Sequence, residues 1–142
     1  MEYLSVFVEN VNDYLAQTGL TVNKFSKKIG VAERAVAGWL NFRSFPSVDC
    51  VVKVAKELNC SSDYLFGLTD VKGKRVNYAQ SSFIDKFLSL LQDKGVTQYR
   101  VARDCGFGES MISKWKRGKK PKTETLIKLV EYFGCPLDFF IG

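Results

Sequence analysis

The sequence predicts an all-α chain built as two five-helix units in tandem. Three observations predict it. Apolar residues recur at i, i+3, i+4 and i+7 spacing, and no strand-like alternation of useful length occurs. Ser, Thr and Gly stand at the ends of these segments as helix caps and stops. The chain also repeats itself: Thr21, Ser26, Gly30, Glu33, Val36 and Trp39 fall on Thr97, Ala102, Gly106, Glu109, Ile112 and Trp115. Upstream, Phe7, Val8, Val11, Leu15 and Gly19 meet Phe83, Ile84, Phe87, Leu91 and Gly95. After one extra residue near Phe45, Pro46, Lys53, Cys60, Asp63 and Gly67 meet Pro121, Lys128, Cys135, Asp138 and Gly142. Each unit of roughly 60 residues is long enough to close a small core. The expected domains are 1–68 and 81–142, joined by a linker over 69–80.

In chain order, Ser5 is expected to cap a first helix running to Thr18, with Phe7, Val8, Val11 and Leu15 on one face and Gly19 as its stop. Thr21 caps a second helix over Val22 to Ile29, and Gly30 turns the chain. A third helix runs from Glu33 to Asn41, followed by the loop Phe42 to Pro46. Ser47 caps a fourth, with Val48, Val51, Val52, Ala55 and Leu58 as its stripe. Ser61 or Ser62 caps a last short turn through Leu65. The segment Thr69 to Gln80 is polar and aperiodic; its basic residues Lys72, Lys74 and Arg75 read as a solvated run. Ser82 and Asp85 form a capping-box pattern ahead of Phe83 to Lys94, with Phe83, Ile84, Phe87, Leu88 and Leu91 as the stripe. Helices follow over Gln98–Cys105, Glu109–Arg117, Thr123–Phe133 and Leu137–Ile141, the third with Leu126, Leu129, Val130 and Phe133 inward.

Charge divides the halves. The 142 residues carry 21 Lys or Arg and 15 Asp or Glu, a net of +6. Residues 1–70 hold 7 basic and 8 acidic side chains, net −1; residues 71–142 hold 14 and 7, net +7. A polyanionic partner is expected, and it should meet the second half. The four cysteines form no C-x-x-C pair and histidine is absent, so no metal site and no cofactor are expected; the thiols read as buried and reduced. The acidic amino terminus does not read as a signal peptide, and no apolar run reaches membrane-spanning length. Lacking histidine, a paired-carboxylate constellation and a phosphate-binding glycine loop, the chain is not expected to be an enzyme.

The stretch Thr97 to Gly118 concentrates the chemistry. Two short helices meet at Gly106, where a left-handed residue is needed. Ala102 is small enough for the second helix to cross closely. Ile112 and Trp115, spaced i, i+3, face inward and leave Glu109, Ser110, Ser113 and Lys114 outward. Six of the nine residues from Lys114 to Lys122 are basic.

With Val96-Thr97-Gln98, Val101-Ala102, Gly106-Phe107, Ile112-Ser113, Trp115, Arg117-Gly118, Pro121, Glu124-Thr125-Leu126, Leu129, Gly134 and Leu137-Asp138, the second half resembles the phage-repressor and Cro-like (XRE-type) helix-turn-helix domain. The first half resembles it at Leu20-Thr21, Phe25-Ser26, Gly30-Val31, Trp39-Leu40, Pro46-Ser47, Leu58 and Ser62 to Leu65. The resemblance implies two lambda-repressor-like domains and a cytoplasmic regulator, most simply a repressor, of bacterial or phage type. Its partner would be double-stranded DNA. It implies base reading by Glu109, Ser110, Ser113 and Lys114, with Glu33 and Arg34 as their counterparts. It implies backbone contact by Gln98, Arg100, Arg117, Lys119, Lys120 and Lys122, with Lys24, Lys27 and Arg43 opposite.

The first half departs from the pattern. Val22 replaces the glutamine, Ala32 a capping residue, and Ala37 and Gly38 replace Ser113 and Lys114. A mid-helix glycine costs about 1 kcal/mol relative to alanine. The alternative is a protein-interaction module, an antitoxin or dimerising adaptor, in which the first half holds a homodimer or a partner protein through Phe42 and Phe45. The second half ends at Gly142, so regulation is expected through promoter occlusion or a partner rather than an appended sensing domain.

Overall fold

Side-chain caps start five of the ten helices among the described residues. The hydroxyls of Thr21, Ser47, Ser61, Ser82 and Thr97 each accept a hydrogen bond from the backbone N–H three residues on, saturating a donor the helix cannot use. The structure, a computed structural model, describes residues 2–74 and 81–141; linker residues 75–80, Arg75 among them, lie outside the described residues. The helices are α1 (Glu2–Thr18), α2 (Val22–Ile29), α3 (Glu33–Leu40), α4 (Val48–Leu58), α5 (Ser62–Leu65), α6 (Phe83–Lys94), α7 (Gln98–Cys105), α8 (Glu109–Lys116), α9 (Thr123–Phe133) and α10 (Leu137–Ile141). No strand forms among the described residues. The chain divides into two compact units, centred on Met1–Asn77 and Tyr78–Phe140.

Within the first unit, Phe7 is fully buried. It stacks on Phe66 at 5.1 Å and meets the edge of Trp39 at 5.6 Å. Val11, Phe25, Val36, Val51, Val54 and Leu65 are fully buried in the same unit. In the second, Phe87 takes the same role, with Trp115 at 5.4 Å and Phe133 at 6.2 Å.

Left-handed backbone recurs at matching places. Gly19, Gly30, Phe42 and Asn59 have positive φ, and so do their sequence counterparts Gly95, Gly106, Gly118 and Gly134. Only Phe42 stands there with a bulky side chain, at φ 58° where Gly118 has 99°.

Several expectations need correction. Ser5 lies inside α1, which starts at Glu2, rather than at its first turn's cap position. Asn41 and Arg117 are the C-caps of α3 and α8 rather than helical residues. Leu88, expected in the stripe, is 42% exposed, while Lys86 is buried. Lys86 lies under the Phe139 ring and donates to the Phe139 carbonyl; burial pushes its ammonium below its ordinary pKa. Leu90 turns inward instead of Leu88, and Lys86 is buried because its head finds a carbonyl. The Lys72 carbonyl accepts from Ser61 N–H at 3.1 Å, tying the start of the predicted linker to the first unit.

Candidate functional site

In the second unit, Thr97 Oγ1 accepts from Arg100 N–H and starts α7. Gly106, at φ 74°, returns its N–H to the Ala102 and Arg103 carbonyls and turns the chain into α8. Trp115 then fixes the rotation of α8. It is 3% exposed and surrounded edge-on by Phe83, Phe87 and Phe107 at 5.2, 5.4 and 5.7 Å. Ile112, one turn earlier, is buried with it. The geometry leaves Glu109, Ser110, Ser113 and Lys114 exposed along one side of α8.

Two concavities flank that side. The larger, about 440 Å³, lies between α8, the loop after it and the start of α9. Lys114, Lys119, Lys120, Lys122 and Lys128 line it, with Glu124 the single carboxylate. Lys128 was not singled out by the sequence; its place on α9 resembled any helix-surface lysine. The smaller, about 290 Å³, lies between the first turns of α7 and α8 and takes in Gln98, Tyr99, Glu109 and Ser113. Tyr99 was also missed, since one exposed aromatic off the apolar stripe carries no periodic signal.

Local bonds hold these groups. Ser113 Oγ donates to the Glu109 carbonyl at 3.3 Å, and Arg117 Nε donates to the Ser113 carbonyl at 3.4 Å. Lys119 N–H closes the loop on the Lys114 carbonyl at 3.0 Å. Arg100 and Arg103 lie apart from this cleft on α7, 3.8 and 3.4 Å from Asp104. A hydrogen bond from Tyr132, opposed by partial desolvation and aided by both arginines, holds the Asp104 carboxyl below its ordinary pKa. Part of the arginine charge is therefore neutralised locally.

The first unit builds the same turn with different contents. Asn23 Nδ2 donates to Glu33 Oε2 at 2.9 Å, so that carboxylate is engaged within the protein. Arg34, Lys24, Lys27 and Arg43 are exposed. Arg43 N–H donates to the Gly38 carbonyl at 2.8 Å, the counterpart of the bond between Lys119 and Lys114. A Cβ on Gly38 would sit 2.7 Å from Ser44 Oγ. The glycine thus accommodates the extra loop residue, which folds over the place where the second unit presents a lysine. Phe45 is half-buried and stacks on Phe66 at 5.5 Å. The expected aromatic surface accordingly shrinks to Phe42, 45% exposed.

Among the described residues, no group of three or more His, Cys, Asp or Glu could hold a metal ion, and no helix is long and apolar enough to cross a membrane. Residues 88–140, from within α6 to within α10, match the helix-turn-helix family. No curated protein and no solved structure matches the chain.

Proposed function

We propose that this chain, whose residues 88–140 match the helix-turn-helix family, is a sequence-specific double-stranded DNA-binding transcription regulator acting as a repressor. Its working reader is the second unit. In this reading α8 enters the major groove. Glu109, Ser110, Ser113 and Lys114 meet base edges, and Gln98, Arg117, Lys119, Lys120 and Lys122 meet phosphates. The observation that carries it is the convergence of five lysines on one side of α8, while Trp115 and Ile112 hold the opposite side in the core. So many like charges in one cleft repel each other unless a polyanion supplies the counter-charge.

The tandem arrangement, with a first helix-turn-helix domain over 1–68, a linker over 69–80 and a second domain over 81–142, belongs to the same reading. Glu33, Arg34, Lys24, Lys27 and Arg43 give the first domain a flanking contact at most. A second reading, in which that domain binds protein, draws on Phe42. An exposed aromatic in left-handed backbone costs about 1–2 kcal/mol, and a partner surface would offset that cost.

The test is binding to random-sequence DNA across a range of salt. With four to six phosphate contacts, log affinity falls against log salt with a slope of roughly −4 to −5. A slope near zero, or no binding at low salt, contradicts DNA binding and favours the protein-binding reading.

A further inference from the structure

The smaller concavity has a chemical character of its own. Its floor is apolar: Ala102 and Ile112 are each 4% exposed. Glu109 and Tyr99 both stand on its lining, and Tyr99 is 63% exposed. In the first unit the residue matching Tyr99 is Asn23, and its amide occupies the Glu33 carboxylate at 2.9 Å. Tyr99 has no amide to give. The Glu109 side chain stays exposed, on the same lining as the largely uncovered Tyr99 ring.

A carboxylate beside an apolar face selects among base edges. In the major groove cytosine offers the N4 amine as a donor, next to its C5 edge. Thymine puts a methyl group beside an acceptor, O4, which a carboxylate repels. Adenine offers an amine but sets the N7 acceptor beside it, where an aromatic ring leaves it unpaired. Guanine offers only acceptors there. One edge satisfies both halves of the site fully, an amine donor next to a methyl group, and that is the edge of 5-methylcytosine.

We propose that the concavity formed by Gln98, Tyr99, Glu109 and Ser113 takes a cytosine edge and binds 5-methylcytosine in preference to cytosine. Glu109 accepts from N4, and the Tyr99 ring covers the C5 methyl group. The proposal rests on the reading of the second unit as DNA-binding and adds to it a sensitivity to base methylation.

The test uses the full chain and a duplex selected from a random pool. Each cytosine is replaced in turn by 5-methylcytosine or by thymine, and affinity is read by fluorescence anisotropy. At one cytosine, methylation should tighten binding about fourfold, the value of burying one methyl group. Thymine there should weaken it by roughly tenfold or more. Tyr99→Ala should abolish the methyl gain but keep the preference for cytosine over thymine; Tyr99→Phe should keep both. Glu109→Gln should erode the preference for cytosine over thymine. The proposal is overturned if methylation is neutral or weakening at every cytosine, if the selected site has no cytosine in contact, or if Tyr99→Ala keeps the gain. Binding that is tight and salt-dependent yet indifferent to methylation overturns this inference alone. Failure to bind any duplex overturns the DNA-binding reading with it.

Discussion

The two units use one backbone plan for different surfaces. Both turn at a left-handed glycine between their second and third helices, and both bury a tryptophan on the third. They diverge on the outer side of that third helix. The second unit shows Ser113 and Lys114 and opens onto a lysine-lined cleft. In the first, Ala37 and Gly38 lie half-buried beside a loop one residue longer, and Asn23 holds Glu33. The joint between α2 and α4 differs from that between α7 and α9 in the same way. Lys28 pairs with Glu57 at 2.8 Å in the first unit. At the matching positions, Tyr132 donates to Asp104 at 2.8 Å. The position of a contact persists while its chemistry is exchanged. Fold is therefore set by buried shape, and partner choice by a few exposed side chains that the core leaves free.

The strongest way to break this comparison is through the tryptophans. Trp39→Ala and Trp115→Ala should each cost about 3–5 kcal/mol, the range for truncating a buried large aromatic. Only Trp115→Ala should remove sequence-specific DNA binding, because only it releases the proposed reading helix. Thermal unfolding gives the first quantity and DNA titration the second. Equal loss of binding from both changes would mean that the units act as one reader.

A smaller effect sharpens the comparison through pH. Burial raises the Glu57 pKa, but hydrogen bonds from Lys28 and Tyr14, with the Lys28 charge, outweigh it and leave the carboxyl below its ordinary 4.5. A lowered carboxyl pKa contributes stability that is present above the unfolded value and lost as pH falls through the folded one. Wild type should therefore exceed Glu57→Gln in melting temperature above pH 4.5, with the gap closing below it. For Asp104→Asn the gap should close only below 3.8. A gap for Glu57→Gln that stays constant into acid would show that the carboxylate is not held by its partners.

Much of this was legible in the sequence because it depends on local chemistry. Caps at Thr21, Ser47, Ser82 and Thr97 act within one turn, so their helix starts emerge from short patterns. Trp39 and Trp115 occupy a 3.6-residue period that admits only an inward position. What escaped depends on contacts across the fold. Ser5 resembled a cap because its own turn permits capping, yet α1 starts at Glu2 and buries Leu4. Lys86 is buried because a carbonyl from α10 is available only after folding, and Leu90 rather than Leu88 turns inward. Gly38 read as a cost to α3, although it makes room for Ser44. In the candidate site, the outward positions of α8 followed from its inward pair. The parts supplied by other helices did not, Lys128 from α9 and Tyr99 from α7.

If sequence preference lives in the second unit, paired substitutions in the full chain should separate the two units. Lys114→Ala should cost about 1–3 kcal/mol on the preferred site and relax preference at one base position, while Lys119→Ala should weaken all sequences alike. Arg34→Ala and Arg43→Ala, at the matching surface of the first unit, should leave both the preferred sequence and the discrimination between sequences unchanged. If Arg34→Ala instead altered preference as strongly as Lys114→Ala, both units would be readers, and the contrast drawn from charge and surface would be wrong.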